Sequence, residues 1–381
     1  MPYNFEKHND FIKSEISPLV REIDNSCIYP KTLIKKLAGE RYLTPTFPVE
    51  YGGMNLKPLE YGKFTLAVGK VCQATRALLT VHNSLVGETI LRWGSEEQKK
   101  DYLFDMSAGD KIGAFALSEP KIGSDAKHVT TKYEKNNDVY ILNGKKKWIS
   151  FGGIADFFLV IAANGKAVSA LLVNAKSEGI KVEEMHGLLA GNGVHISQIE
   201  FNNVIVPSSK LLGGEGNGLN YIVSTALDHG RYSIAWGGIA IAQAALEAMV
   251  TYAREREQFG EKIYKYDAIL QMIGESTSKF HAARALCENL AGTRSENHSD
   301  SIMETNIAKY ITSKTAVEIT SMALQVHGGN GCWNQFPVEK LFREARILEI
   351  IEGTSQVQEK LIAMYALRKY FIKGLYSGKD I

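Results

Sequence analysis

The run DFFLVIAA (residues 156–163), with VSALLV (168–173) close behind it, decides the fold class. Both are short apolar runs broken by Asn164, Gly165 and Lys166, the punctuation of strands joined by a turn. Working outward, VYILNG (139–144), GIKV (179–182) and ISQIEFNNVIV (196–206) repeat the habit, so residues 111 to 213 read as an antiparallel sheet or barrel. On both sides the period changes. In NDFIKSEISPLVREI (9–23) apolar residues at 11, 12, 16, 19, 20 and 23 follow a 3.6-residue repeat, which marks a helix. KTLIKKLAGERYL (31–43) does the same, and Ser95 before Glu96-Glu97-Gln98 reads as a helix N-cap with acids in the first turn. Beyond residue 214, GGIAIAQAALEAMVTYARERE (237–257) sets Ile239, Ala242, Leu246, Met249, Val250 and Ala253 along one stripe. Its small residues predict close packing against other helices. Helical stretches over 267–291, 301–326 and from 338 to the end complete the pattern.

The expected class is α+β in three domains: a helical one over 1–110, a β-domain over 111–213 and a helical bundle over 214–381. Strands and helices do not alternate, so a doubly wound fold is excluded. GGEGNG (213–218) and HGGNG (327–331) do not follow a strand to open a helix, and neither reads as a dinucleotide fingerprint. A chain of 381 residues is long enough for more than one core. With 45% hydrophobic and 23% charged residues and a net charge of +2, it offers no general field for nucleic acid or an anionic membrane. The four cysteines show no C-x-x-C spacing and read as reduced thiols rather than a zinc site, with no metal expected. The N-terminus has no signal-peptide pattern and no apolar run suggests a membrane span, so a cytoplasmic location is expected.

Four clusters place polar residues in apolar surroundings: AFALSEPKIGSD (114–125), KWISFGGIAD (147–156), REREQFG (254–260), and QVHGGNG (325–331) with EIIEGTSQ (349–356) behind it. Singly, each is explained by a capped turn, a core indole or a solvated helix end. Together, in this order, LSEPKIGSD, LNGKKKWIS, FNNVIVP, REREQFG, QVHGGNG and EGTSQ resemble the acyl-CoA dehydrogenase flavoprotein family along essentially the whole chain. The resemblance implies a helical N-terminal domain, a middle β-barrel domain and a C-terminal four-helix bundle. It implies an oxidoreductase acting on the CH–CH group of an acyl thioester with FAD as cofactor.

By resemblance, Glu352 before Gly353-Thr354 is the catalytic base. Some members carry the base before the arginine of LDHGRYS (227–233); Gly230 stands there, which favours Glu352. Ser118 and Ser150 match hydroxyls that bond the flavin ring, and Trp148 flanks it. Arg256, Gln258 and Phe259 match a segment reaching the cofactor pyrophosphate across a subunit boundary. Gln325, Gly328, Gly329, Thr354 and Gln356 match the remaining FAD contacts. Asp228 and Arg231 match the mouth of the substrate channel, and Ser124 a position near the thioester arm. Shared cofactor contacts imply a homodimer or homotetramer, and an electron acceptor such as electron-transferring flavoprotein is expected.

Two departures stand out. NGVHI (192–196) lacks the Ser-Asp-Thr usual there, and Asp267 replaces a glutamine. His195 reads as a satisfied loop histidine. GKFTLAVGKVCQATRALLT (62–80), DHGRYSIAWGGI (228–239) and LEIIEGTSQ (348–356) look like dehydrogenases that build hydroxymalonyl, methoxymalonyl and aminomalonyl extender units on acyl carrier proteins. That likeness points to secondary-metabolite biosynthesis, with a carrier-protein or coenzyme A thioester as partner. If Glu349 faces the site, its charge is expected to raise the pKa of Glu352.

Overall fold

The computed structural model describes residues 3–372; residues 1–2 and 373–381, the outer ends of the first and last expected domains, lie outside the described residues. Helices come first: α1 (Phe5–Phe11), α2 (Val20–Ser26), α3 (Lys31–Gly39), α4 (Pro58–Val71), α5 (Gln73–Leu78), α6 (Glu88–Trp93) and α7 (Glu96–Ala108). Ser95 caps α7 as its sequence predicts, accepting from the Gln98 N–H while Gln98 reaches back to the Ser95 N–H. Between α5 and α6 the chain runs as a π-helix, Leu79–Gly87, every residue of which is buried. Such wide turns are uncommon and concentrate at functional sites.

The strands follow: β1 (Gly113–Ala116), β2 (Lys132–Asn136), β3 (Val139–Ile149), β4 (Phe157–Asn164), β5 (Ala167–Asn174), β6 (Ile180–Glu184), β7 (Ser197–Pro207) and β8 (Leu211–Leu212). They form one eight-stranded sheet in the order β6-β7-β3-β2-β4-β5-β8, with β1 beside β4. The barrel is therefore an open one, edged by β6 and β8. It is also mixed, because β4 pairs in parallel with β1 and β2. The opening run of the sequence is β4, buried on both faces. Phe157, Leu159 and Ile161 belong to the core shared with the helices, and Phe158, Val160 and Ala162 to the core inside the sheet. Alternate side chains serve alternate faces of a strand, which is why this strand is apolar throughout.

The C-terminal helices are α8 (Ser224–Glu255), α9 (Asp267–Ser295), α10 (Ser301–His327), α11 (Val338–Leu348) and α12 (Ser355–Lys369), with a hairpin of β9 (Glu257–Gln258) and β10 (Glu261–Lys262) after α8. Helix α8 and the π-turn before it, Gly218–Glu255, are long and apolar enough to cross a membrane by length and composition, contrary to the sequence expectation. The apolar content of α8 has a local explanation. Ile234, Trp236, Ile239 and Ile241 are buried against its neighbours, so α8 is a core helix.

Candidate active site

The site is built on an abrupt chain reversal between α11 and α12. Glu352 has φ of 56° and Gly353 φ of 92°, two successive left-handed residues. Only glycine adopts that region freely, so the glutamate needs support from outside. The support falls on its carbonyl side. Arg231 Nε donates to the Glu352 carbonyl at 2.9 Å, Lys309 Nζ to the Gly353 carbonyl at 2.7 Å, and Gln358 Nε2 to both, at 3.2 and 3.4 Å. Arg231 is held in turn by Asn306 at 3.0 Å. Thr354 closes the reversal as N-cap of α12, accepting from Val357 N–H.

The carboxylate is treated differently. Oε2 of Glu352 is buried, and no group among the described residues bonds it. Burial raises the pKa from an ordinary 4.5 to about 7, against the opposing charges of Arg231, Lys309 and Arg76. Space for the carboxylate comes from Gly230: a Cβ there would stand 2.7 Å from Oε2 and 2.6 Å from Leu85. Position 230 on α8 and Glu352 on the α11–α12 turn thus address the same point. Glu349 does not join this group. It pairs with Arg346, and its charge bears on Lys309 instead, so the expected push on Glu352 is not among the influences acting there.

A second constellation lies on the sheet. Ser118 follows β1, and its loop is tied down through Glu119, which accepts from Thr130 N–H at 2.7 Å, Thr131 N–H at 2.9 Å and Lys146 Nζ at 2.8 Å. Burial works against ionisation of Glu119, but the Lys146 ammonium and these donors outweigh it and hold the carboxyl low. Lys147 N–H donates to the Ser118 carbonyl at 2.9 Å. β3 then shifts register between Lys146 and Ile149, and Trp148 takes φ of 66°. A bulge re-aims the side chain it carries, and the Trp148 indole stands 52% exposed. The π-helix joins the two constellations: Leu85 faces Glu352, and His82 Nδ1 accepts from the N–H of Gly113, the first residue of β1, at 3.2 Å.

The other expected residues are distributed as follows. Ser118 and Ser150 are half-buried, and Gln325, Gly328, Gly329 and Gln356 are exposed. Arg256, Gln258 and Phe259 sit on the β9–β10 hairpin, and Phe259 is 95% exposed. The hairpin lies 25 residues along α8 from Arg231, about 37 Å at helical rise. A single chain does not bring these residues to Glu352. Asp228 is committed to an ion pair with Arg294 at 2.9 Å between α8 and α9. Ser124 is exposed in its loop, and Asp267 opens α9. His195 bridges Tyr29 N–H at 2.9 Å and Glu184 at 3.0 Å. Sequence reasoning missed Lys309, Gln358, Asn306 and Arg76. The available signal was a charge inside an apolar or hydroxyl-rich helix, as in QATRALLT (73–80).

A carboxylate oxygen that is buried and unbonded among the described residues suits proton abstraction from carbon, and the exposed Trp148 with the half-buried Ser118 and Ser150 suits a flat ligand; together they fit an enzyme class that works on carbon–hydrogen bonds. Three matched family descriptions say which. "Acyl-CoA dehydrogenase, N-terminal domain" covers residues 5–110, "middle domain" 114–204 and "C-terminal domain" 216–367. The chain belongs to the acyl-CoA dehydrogenase family and is an FAD-dependent oxidoreductase of acyl thioesters. Among its relatives is the 3-(aryl)acrylate reductase of Clostridium sporogenes, 35% identical over 94% of this chain and 96% of that one. The butyryl-CoA dehydrogenase of Megasphaera elsdenii superposes with a TM-score of 0.91 at 31% identity, covering 97% of this chain and 100% of that one. FkbI, described as serving biosynthesis of a methoxymalonyl extender unit, superposes at 0.86 with 27% identity over 95% and 98%. The prolyl acyl carrier protein oxidase AnaB superposes at 0.89 with 25% identity over 95% and 99%.

The residues present suit FAD. Trp148 offers a flat apolar face, Ser118 and Ser150 offer hydroxyls beside it, and the open hairpin of Arg256 offers a cation for phosphate.

Proposed function

We propose that the protein dehydrogenates a short polar acyl group, such as a glyceryl- or seryl-derived unit, carried as a thioester on an acyl carrier protein, with Glu352 as the base. The observation that carries the base assignment is the unbonded Oε2 of Glu352, held at a pKa of about 7. A base working near neutral pH needs that combination of free acceptor and matched pKa.

Within this reading, Arg231, Lys309 and Gln358 fix the turn, so that the carboxylate meets the α-carbon without reorganising. The Glu352 N–H lies in the same rigid turn and serves as a donor to the thioester oxygen, where negative charge develops. Leu85 and the α8 face at Gly230 keep water from the carboxylate. The bound FAD supplies the acceptor for the hydride that leaves the β-carbon. Ser118, Trp148 and Ser150 hold its ring, and Arg256, Gln258 and Phe259 reach the cofactor of a partner copy in a dimer or tetramer. The distance along α8 and the exposure of Phe259 support that trans arrangement. An electron-transferring flavoprotein is the proposed acceptor.

Carrier-protein tethering rests on the local patterns quoted above and on the likeness to FkbI and AnaB. The alternative is a short-chain acyl-CoA dehydrogenase, favoured by the likeness to the butyryl-CoA enzyme. Flavin bleaching decides between them. Bleaching by acyl groups on candidate carrier proteins supports the proposal. Butyryl-CoA bleaching without response to any loaded carrier protein overturns the carrier part.

A further inference from the structure

His195 is 9% exposed, and both of its ring nitrogens are engaged. Nε2 stands 2.9 Å from the main-chain nitrogen of Tyr29. A backbone N–H can only donate, so Nε2 is the bare, accepting nitrogen. The ring proton is therefore on Nδ1, which faces the Glu184 carboxylate at 3.0 and 3.2 Å. These two partners admit one tautomer of the neutral ring. His195 also has φ of 46°, a left-handed conformation that residues other than glycine keep only with support from their surroundings.

The ring sits where the three parts of the chain meet. Phe151 N–H donates to the Val194 carbonyl at 2.6 Å and Gly153 N–H to the His195 carbonyl at 3.3 Å, so the turn just after Ser150 hangs on residues 194 and 195. That turn has no slack. A Cβ added to Gly152 would stand 2.9 Å from Ser197, and one added to Gly153 would collide with the Glu184 carboxylate. On the other side of the ring, Tyr29 lies between α2 and α3 and meets Phe151 edge-on, with ring centres 6.2 Å apart. Its hydroxyl donates to Thr75 at 3.0 Å, on the helix that runs into the π-turn. Three residues before His195, Asn192 donates to the Asp24 carbonyl of α2 at 2.9 Å. The Asp24 carboxylate in turn faces Lys340 and Arg343 of α11 at 3.8 and 3.7 Å.

Resting on the assignment of Ser150 to the flavin ring, we propose that His195 is a positioning residue: the neutral imidazole fixes the turn after Ser150 against the N-terminal helices, and protonation of the ring loosens the flavin. The reason is a change of sign at one contact. A second ring proton falls on Nε2, which then points an N–H at the Tyr29 N–H, and both donors are left without an acceptor. The Glu184 carboxylate of β6 accepts from Nδ1 in either state, so it does not restore the lost bond. Asp24, Lys340 and Arg343 are occupied with one another. Burial pushes the Tyr29 phenol and the Cys72 thiol up, so both stay uncharged. An imidazole is the side chain that changes charge between about pH 5 and 8; His186 is exposed at the start of the loop, and His195 is the one in the joint.

The test is flavin release from the yellow holoenzyme, read as recovered flavin fluorescence at about pH 8 and about pH 5.5, with far-UV circular dichroism following the helices. The wild-type protein is expected to release flavin about 10-fold faster at the lower pH. His195→Gln offers an amide oxygen to Tyr29 and an amide N–H to Glu184, and neither titrates, so its ratio falls to about 2-fold or less. His195→Leu releases flavin fast at both pH values. Glu352→Gln keeps the wild-type ratio, which separates the joint from titration of the base; loss of the ratio there overturns the inference. A wild-type ratio near unity overturns it too, as does a wild-type ratio retained in His195→Gln, or helix loss that keeps pace with release. Ser150→Ala tests the underlying assignment, with faster release expected at both pH values. Release at the wild-type rate overturns that assignment and the inference with it, whereas failure in His195→Gln alone leaves the assignment standing. The wild-type comparison decides even where a variant does not fold.

Discussion

Two glutamates with buried carboxylate oxygens are treated in opposite ways in this molecule. Glu119, under the Ser118 loop, receives two backbone N–H groups, the Thr130 hydroxyl and the Lys146 ammonium on its carboxylate. Glu352, at the α11–α12 turn, is equally rich in nearby donors, yet Arg231, Lys309 and Gln358 all bond main-chain carbonyls. Burial penalises both charges, and only the first is compensated. Glu119 is a structural tie, and Glu352 is left with a reactive oxygen. What separates them is where the neighbouring donors point, onto the carboxylate of Glu119 but onto the main-chain carbonyls at Glu352 and Gly353.

The largest expected effect breaks the reactive side of this contrast. Glu352→Gln keeps its bound flavin and loses turnover by about 10⁴-fold, the upper range for a general base; stopped-flow bleaching checks it. A variant that stays yellow and fully active removes Glu352 from its role. Because the carboxyl is raised, its ionised form destabilises the fold as pH climbs from 4.5 toward 7. The same variant is therefore expected to be more stable above pH 7 by on the order of 2 kcal/mol, and unchanged below pH 4. Thermal melts at the two pH values measure this.

On the structural side, Glu119→Ala leaves Lys146 buried and unpaired and costs about 3–5 kcal/mol. That loss appears as a lower melting temperature and weaker flavin retention. Lys309→Met removes a cation that holds the Glu352 pKa down. Activity of the wild-type enzyme should rise with pH through about 7, and the variant's midpoint should move upward, with kcat reduced about 10-fold. The smallest effect is Glu349→Gln. Paired to Arg346 at the helix end, Glu349 should leave the pH–rate midpoint in place, and a shifted midpoint would show that its charge reaches the base after all.

Much of the fold was legible because periodicity survives in one dimension. The apolar β4 run, the capped start of α7 and the small-residue stripe of α8 all formed as their spacing dictates. The parallel pairings of β4 were not legible, since register depends on partners far along the chain. Gly230 and Glu352 illustrate the same limit at the site. Both were visible as alternative base positions, but the 2.7 Å approach between them joins residues 122 apart in sequence. Arg76 and Lys309 were overlooked because a helical cation is usually solvated, and only burial makes one unusual.

By itself the sequence determined the helical–β–helical order, the family, and the acid before Gly353-Thr354. Those are local or cumulative patterns that short-range sterics and hydrophobic spacing impose. Tertiary structure alone decided which glutamate is satisfied and which is free. A donor's direction and a group's desolvation are properties of neighbours brought together by folding, and no local pattern carries them.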